Sequence, residues 1–402
     1  MLLLTCLCLL IFSRVVSSDY CESYVVILGP GQSYQSFLDF DEELPNDLQI
    51  KELITSSFEI GELCGFCGTF PPEVVKRLEC CPLVDEITID VLVQAMDTKS
   101  QPDAPRHLAR LSRRRKMASK KKYPYVYDDD TIGNHVSAYV LDSGVHIGHP
   151  QFQGRARRGE DFTGENCGDK NGHGTHIAGL IGSETYGVAK KVQLIDVKVL
   201  KSNGRGLLST VIAGIEFAVD HRRNNDCLGV ANLPFAVKEN SVLDKLIEQA
   251  IWTGLVIVAA AGNSNSDACE CSPASSSSAI TVGAIDDFND VISSFSNWGQ
   301  CVDIFASGSY VRSVDMNNLY RASVMSGTSM ASAIVTGVVA CMLSEGIQPT
   351  YVKEHLLKSS TRNKIPELSY LHRPYTTDKI AFNGFEASVF KLDTEPWDEF
   401  SS

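Results

Sequence analysis

Three short stretches carry residue types that could do chemistry. Tyr139-Val140-Leu141-Asp142-Ser143-Gly144 ends an apolar run with an acid and follows it with a glycine turn. An open α/β sheet presents functional groups at that end of its strands, although Asp-Ser-Gly is equally a common turn. Asn171-Gly172-His173-Gly174-Thr175-His176-Ile177-Ala178-Gly179 surrounds His173 with small residues, so a helix can begin close to a sheet with an imidazole in its first turn. Its two histidines could also be metal ligands or a satisfied turn. Met325-Ser326-Gly327-Thr328-Ser329-Met330-Ala331 runs into an apolar helix, where Ser329 is either an N-terminal cap or a nucleophile at the positive end. Together the three stretches read more sharply. A Ser hydroxyl is a poor nucleophile until a neutral imidazole takes its proton, and a buried carboxylate must hold that imidazole in the right tautomer. Asp142, His173 and Ser329 are the types this needs, each at a strand end or helix start facing one side of a sheet.

The elements that would position them begin near residue 134. Residues 135–141, 192–200 and 255–261 read as strands, and 207–222 and 329–344 as helices. Strand–helix alternation argues for an α/β fold, a three-layer sandwich with a mostly parallel central sheet covered on both faces. Residues 19–97 form a separate, small α+β unit, opening on Tyr24-Val25-Val26-Ile27-Leu28 and closing on Ile87-Thr88-Ile89-Asp90-Val91-Leu92-Val93. A basic stretch, residues 102–122, joins the two and contains Arg113-Arg114-Arg115-Lys116. The last 15 residues, with Asp393, Glu395, Asp398 and Glu399, look like a solvated tail.

The chain has 402 residues, 44% apolar and 21% charged, which excludes a collagen, a coiled-coil rod and a wholly disordered chain. Its net charge of −13 resides in residues 19–97, where 16 acids face three bases. The remainder is near neutral with no basic stripe, so no nucleic-acid partner is expected. Residues 2–12 are an apolar run suited to a signal-peptide core, and Val16-Ser17-Ser18 would permit cleavage before Asp19; a buried helix or strand is the alternative. No later stretch reaches the roughly 18 apolar residues that a membrane helix needs, so no transmembrane segment is expected. The 13 cysteines fit an oxidising compartment. Cys64-x-x-Cys67 is followed by adjacent Cys80-Cys81, which lacks the spacing for a shared zinc, so disulfides are expected there. No Asn-x-Ser/Thr acceptor occurs.

On these residues the chain resembles the subtilisin-like serine proteases, and within them the proteinase K branch. The stretch 171–179, Tyr186-Gly187-Val188-Ala189-Lys190-Lys191, Val197-Lys198-Val199-Leu200, Ser293-Ser294-Phe295-Ser296-Asn297 and Gly327-Thr328-Ser329-Met330-Ala331 carry the match, which covers about residues 98–387. The resemblance implies a secreted serine endopeptidase, with or without attachment to a cell surface, acting on protein or peptide substrates. It implies Asp142, His173 and Ser329 as the catalytic triad. Asn263, in Ala260-Ala261-Gly262-Asn263, becomes the side-chain donor of an oxyanion hole beside the Ser329 N–H; without the family it would read as a turn residue after a core strand. The implied organisation is a signal peptide (1–18), a pro-segment (19–98) that serves as folding chaperone and intramolecular inhibitor, a catalytic domain (99–387) and an acidic tail (388–402), in a monomer. Ala104-Pro105-Arg106-His107-Leu108-Ala109-Arg110-Leu111-Ser112 resembles the start of a mature enzyme, upstream of residues 113–116. Self-cleavage by Ser329 near residues 93–99 is therefore favoured over a furin-type cut, leaving the basic cluster as a solvated loop or a patch that attracts the acidic pro-segment.

Two further features follow from the resemblance. It pairs Cys269 with Cys301, while the other four catalytic-domain cysteines leave three possible pairings. Asp303, with the carbonyls of Ser277 and Ala279, matches a structural calcium site; a charged residue capping a strand is the alternative. The chain also departs from the family. Pro234-Phe235-Ala236-Val237 stands where the substrate-binding segment normally reads Ser-Leu-Gly-Gly, and Ser332-Ala333-Ile334 replaces Thr-Pro-His. Proline has no N–H to offer a substrate strand, and the added side chains would narrow the pocket toward small residues. That wall is also what favours a rival reading, a catalytically impaired pseudoenzyme with a binding or regulatory role. A disulfide-rich scaffold is a third class, against which the clustering of the cysteines argues.

Overall fold

The computed structural model describes residues 22–42, 44–45, 49–90, 98–118, 121–166 and 168–386, and the chain divides into two units, Met1–Ala95 and Met96–Ser402. The expected signal peptide, the acidic tail and residues 91–97, where the pro-segment was expected to end, lie outside the described residues.

In the first unit, β-branched and aromatic strands build a four-stranded antiparallel sheet in the order Ile54–Ile60, Leu63–Phe70, Glu22–Leu28, Val84–Ile89. Val26 sits opposite both Phe66 and Ile87. The helices Tyr34–Glu42 and Pro72–Glu79 drive Phe37 and Leu78 into a core with Val26, Phe66 and Phe70. The disulfides expected among Cys64, Cys67, Cys80 and Cys81 are not formed: all four are free thiols. For Cys64 and Cys67 the strand period forbids a bond. Cys64 and Cys67 are three apart on one strand and so face opposite sides, Cys64 inward with Phe66.

The second unit is built on an eight-stranded sheet in the order Val291–Ile292, Ile280–Asp286, Val256–Ala260, Leu228–Leu233, Val136–Asp142, Gln193–Lys198, Ala156–Asp161, with Ile304–Ser307 also paired to Ile280–Asp286. All of its pairings are parallel except that of the two-residue strand Val291–Ile292. Alternation along the strands sorts the layers. Ala138, Val140, Val230 and Val258 pack with Ile177, Ile181, Val335 and Val339 from the helices His173–Gly182 and Thr328–Ser344. Their neighbours Tyr139, Leu141, Ala231 and Ile257 pack instead with Val211, Ile215 and Ile247 from Leu208–Asn224 and Ser241–Trp252. A three-layer α/β sandwich results, and no single helix among the described residues is long and apolar enough to cross a membrane.

Cys269 is bonded to Cys301. Cys227, Cys271 and Cys341 are free thiols, so the further pairings are not made; Cys167 lies outside the described residues. The basic cluster also differs from a solvated loop. Arg113 stacks on the Tyr123 ring, and Arg114 stacks on Phe382 while donating to the carbonyls of Ser359 and Ser360, at the end of the helix Pro349–Ser359. A guanidinium satisfies two orphan helix carbonyls at once, because its donors are held in a fixed fork. Only Arg115 and Lys116 of the four are exposed. The preceding helix, Arg106–Leu111, is anchored by Arg110 to Asp290 at 2.9 Å, with both side chains only 2% exposed, and by Arg106 to Asp287 at 2.8 Å.

Candidate active site

Asp142 ends the central strand Val136–Asp142, and His173 begins the helix His173–Gly182. The helix can start this close because of two glycines. Gly172 takes a φ of 93°, the left-handed region that glycine enters without a Cβ penalty. A Cβ on Gly174 would run into the carbonyl oxygen of Gly144. The approach brings His173 Nδ1 to 2.8 and 2.9 Å from the two oxygens of Asp142. The carboxylate is fully buried, whereas the imidazole keeps 27% of its side chain open, so a reactant can reach the ring. Bonded in this way, Nδ1 carries the proton and leaves Nε2 as the basic atom.

The surroundings hold this pair still. The Ser143 N–H donates to Asp142 Oδ1 at 2.6 Å, and the Ser143 hydroxyl joins Asp169 to the Gly174 N–H. Asp169 in turn accepts from the N–H groups of Asn171, Gly172 and Thr175. The buried Lys198 donates to the Ser143 and Leu200 carbonyls at 2.6 and 2.9 Å, with Glu165 at 3.2 Å, which pins the turn following Asp142. Burial of the His173 ring disfavours its charged form, but the charge and hydrogen bond of Asp142, with a contribution from Asp169, outweigh this and raise its pKa above the ordinary imidazole value. His176, on the same helix, is buried with Nε2 3.2 Å from the Val311 carbonyl, and burial first, then His173, lowers its pKa to about 4.

Ser329 is the second residue of the helix Thr328–Ser344, which packs beside the His173 helix on the same face of the sheet. Its hydroxyl donates to the Pro234 carbonyl at 2.7 Å. Pro234 is buried, Phe235 half-buried and Ala236 exposed, in the turn that links Leu228–Leu233 to Val237–Lys238. Asn263 is exposed, and its side-chain oxygen accepts from both the N–H and the hydroxyl of Thr328, at 2.9 and 3.0 Å. With Oδ1 held twice, the amide's Nδ2 is left as a directed donor beside Gly327. Asn297, fully buried, shapes the loop that carries Asn263. Its side chain accepts from the N–H groups of Ser264 and Ser266 and donates to the Ala261 carbonyl, and its backbone N–H bonds the Gly262 carbonyl. Sequence reasoning passed over Thr328, Asn297, Asp169 and Lys198. Thr328, Asn297 and Lys198 lie inside quoted motifs, yet nothing local announces which carbonyl or amide each will meet.

At the expected calcium site the three oxygens do converge, but on an ammonium: Lys353 Nζ lies 2.9 Å from Asp303 Oδ2 and bonds the carbonyls of Ser277 and Ala279 at 2.8 and 2.7 Å. The three oxygens are spent on the lysine ammonium at hydrogen-bond lengths; a calcium ion in its place would draw its remaining ligands, about six to eight oxygens in all at roughly 2.3–2.6 Å, from water.

Residues 133–375 match the family model described as the Subtilase family, peptidase S8. The chain is 38% identical to the subtilase-type proteinase RRT12 of Saccharomyces cerevisiae, over 98% of this chain and 87% of that protein. It is likewise 38% identical to the subtilisin-like serine protease Rho m 2.0101 of Rhodotorula mucilaginosa, over 80% of this chain and 97% of the relative. Among solved structures, a cold adapted subtilisin-like serine proteinase superposes with a TM-score of 0.63 at 37% identity, covering 70% of this chain and 98% of that one.

Proposed function

Because the chain belongs to the Subtilase family, and is thus a serine endopeptidase acting on peptide bonds, we propose that it works through an acyl-enzyme formed on Ser329, with His173 as general base and then acid, and Asp142 as the orienting carboxylate. The observation that carries this reading is the 2.8 Å contact between Asp142 and His173 Nδ1, which presents Nε2 as a base on the helix beside that of Ser329. In the first step the Ser329 hydroxyl leaves the Pro234 carbonyl and turns to His173, giving its proton to Nε2 as Oγ bonds the scissile carbonyl carbon. Charge builds on the carbonyl oxygen, where Asn263 Nδ2 and the Ser329 N–H donate to it. The imidazolium, held against Asp142, then protonates the departing amine. Water repeats the sequence on the acyl-enzyme, releasing the acid and restoring the hydroxyl.

The same reading makes residues 1–18 an export signal and residues 19–98 an inhibitory chaperone removed by self-cleavage near residues 93–99 from a secreted, monomeric enzyme. The anchored Arg106–Leu111 helix and the caps supplied by Arg114 favour a mature chain that begins upstream of the basic cluster, because a cut at 113–116 would separate those anchors from the enzyme. Pro234, Phe235 and Ala236 would wall a narrow primary pocket. Cleavage of a peptide library should then favour small residues before the cut, and a preference for bulky aromatics there would refute the narrowing. Labelling the full chain with a fluorophosphonate tests the chemistry directly. The parent should be modified at Ser329, and Ser329→Ala should be unlabelled and remain unprocessed. An unlabelled parent would sink the acyl-enzyme and leave a binding role at the Pro234 wall.

A further inference from the structure

The cluster of Ser277, Ala279 and Asp303 is a cation site already filled from within the chain. An ammonium has three N–H donors and no acceptor, and Lys353 uses all three, at 2.7–2.9 Å, on two carbonyls and one carboxylate. These are hydrogen-bond lengths. One positive charge meets one negative charge, and the side chains of Lys353 and Asp303 are only 28% and 18% exposed. Asp303 is fixed independently of the lysine, its Oδ2 accepting the Thr281 N–H at 2.9 Å and its own N–H bonding the Thr281 carbonyl at 3.0 Å. Lys353 arrives from the helix Pro349–Ser359, Asp303 directly precedes the strand Ile304–Ser307, and the two carbonyls belong to the loop before Ile280–Asp286. One nitrogen thus ties a helix to a loop and a strand end. A divalent ion held by the same oxygens would tie loop and strand but would lack this covalent link to the helix, which otherwise attaches through its core residues Val352 and Leu356 and the Arg114 cap.

We infer that Lys353 is a tethered cation standing in place of a divalent metal ion, so that this tie forms without calcium. The consequence is a local stability that no chelator removes, together with a latent oxygen site that appears once the lysine is gone.

The test is thermal unfolding of the full chain carrying Ser329→Ala to suppress self-digestion, in calcium and in EGTA. Lys353→Met should lower the Tm by roughly 2–4 °C, since a sheltered carboxylate loses its counter-charge. It should also gain a calcium-dependent rise in Tm that is absent from the parent, and Asp303→Asn added to Lys353→Met should abolish that rise. In the parent, Asp303→Asn should leave any calcium response unchanged. The inference would be overturned by a Lys353→Met chain that keeps the parental Tm or gains no calcium response. It would equally be overturned by a parental calcium response that Asp303→Asn removes.

Discussion

Two carboxylates at the ends of central-sheet strands, Asp142 closing one and Asp303 leading into another, face a nitrogen at nearly the same distance. Asp142 meets His173 at 2.8 Å and Asp303 meets Lys353 at 2.9 Å. The surroundings decide what each pair can do. Asp142 holds an imidazole by one nitrogen and leaves the other open on a side chain 27% exposed, and an imidazole can give up and retake a proton near neutrality. Asp303 holds a nitrogen whose three hydrogens are all spent on neighbouring oxygens, so the contact stores position and not reactivity. A carboxylate at a strand end is therefore no sign of chemistry until its partner is known. The comparison breaks if both pairs respond alike to loss of the charge. Asp142→Asn should lower kcat by about 10⁴, the size found for the Asp→Asn change in the chymotrypsin-type triad and close to the loss on removing the corresponding Asp of subtilisin. Asp303→Asn should leave kcat within about twofold and lower the Tm instead. Steady-state peptide hydrolysis beside thermal melts separates the two results, and a large loss of kcat in Asp303→Asn would erase the distinction.

A second contrast separates a side chain whose polar atom is free from one whose atoms are consumed. Thr328 occupies the oxygen of Asn263 twice, which leaves Nδ2 to donate, on the proposed mechanism, to a developing charge. Asn263→Ala should lower kcat by about 10²–10³ with little change in KM, the magnitude measured for the corresponding donor of subtilisin. Equal losses in kcat and in substrate affinity would mean that the amide binds the ground state as well.

Most of the catalytic unit was legible because its signals are local. Strand periodicity gave the expected stretch 135–141, found as Val136–Asp142, and the glycines around His173 gave the start of its helix. The pairing of Asp142 with His173 followed from the chemistry that those residue types require together. What escaped depends on contacts through space. Lys353 carries no signal in the sequence, and only the packing of Pro349–Ser359 against the loop before Ile280 turns it into a counter-charge. Arg113 and Arg114 read as solvated because runs of charge usually are, yet Tyr123 and Phe382 give them aromatic faces. The disulfides expected among Cys64, Cys67, Cys80 and Cys81 are not formed, and for the first two the period of a strand sends the side chains apart.

A smaller effect sharpens the account of Asn263. Thr328→Val keeps the backbone N–H on Asn263 Oδ1 but removes the hydroxyl that also holds it, and with it the acceptor for the Gly262 N–H. Of the two hydrogen bonds lost, the one to Asn263, worth about 0.5–1.5 kcal/mol, should lower kcat about 2–10-fold if it acts through the aim of Nδ2. In the Asn263→Ala background the same change should cost nothing further, because the group being aimed is gone. A full additional loss in the double variant would assign Thr328 a role of its own.

The smallest effect is a displacement along the pH axis, and its sign distinguishes the two carboxylates without relying on rate. On the proposed mechanism catalysis needs neutral His173, so kcat/KM falls as pH drops through the imidazole's pKa. Burial pulls that pKa down while Asp142 and Asp169 push it up, and the push prevails. The acid limb of the profile should therefore stand above the ordinary value of about 6.5. Asp142→Asn removes the charge and leaves the burial, so its residual activity should persist to lower pH than in the parent. Asp303→Asn changes a charge already neutralised by Lys353 and should not move the limb. If the limb of Asp142→Asn stayed where the parent's lies, the titrating group would not be His173, and the assignment of the base would have to be made elsewhere in the cleft.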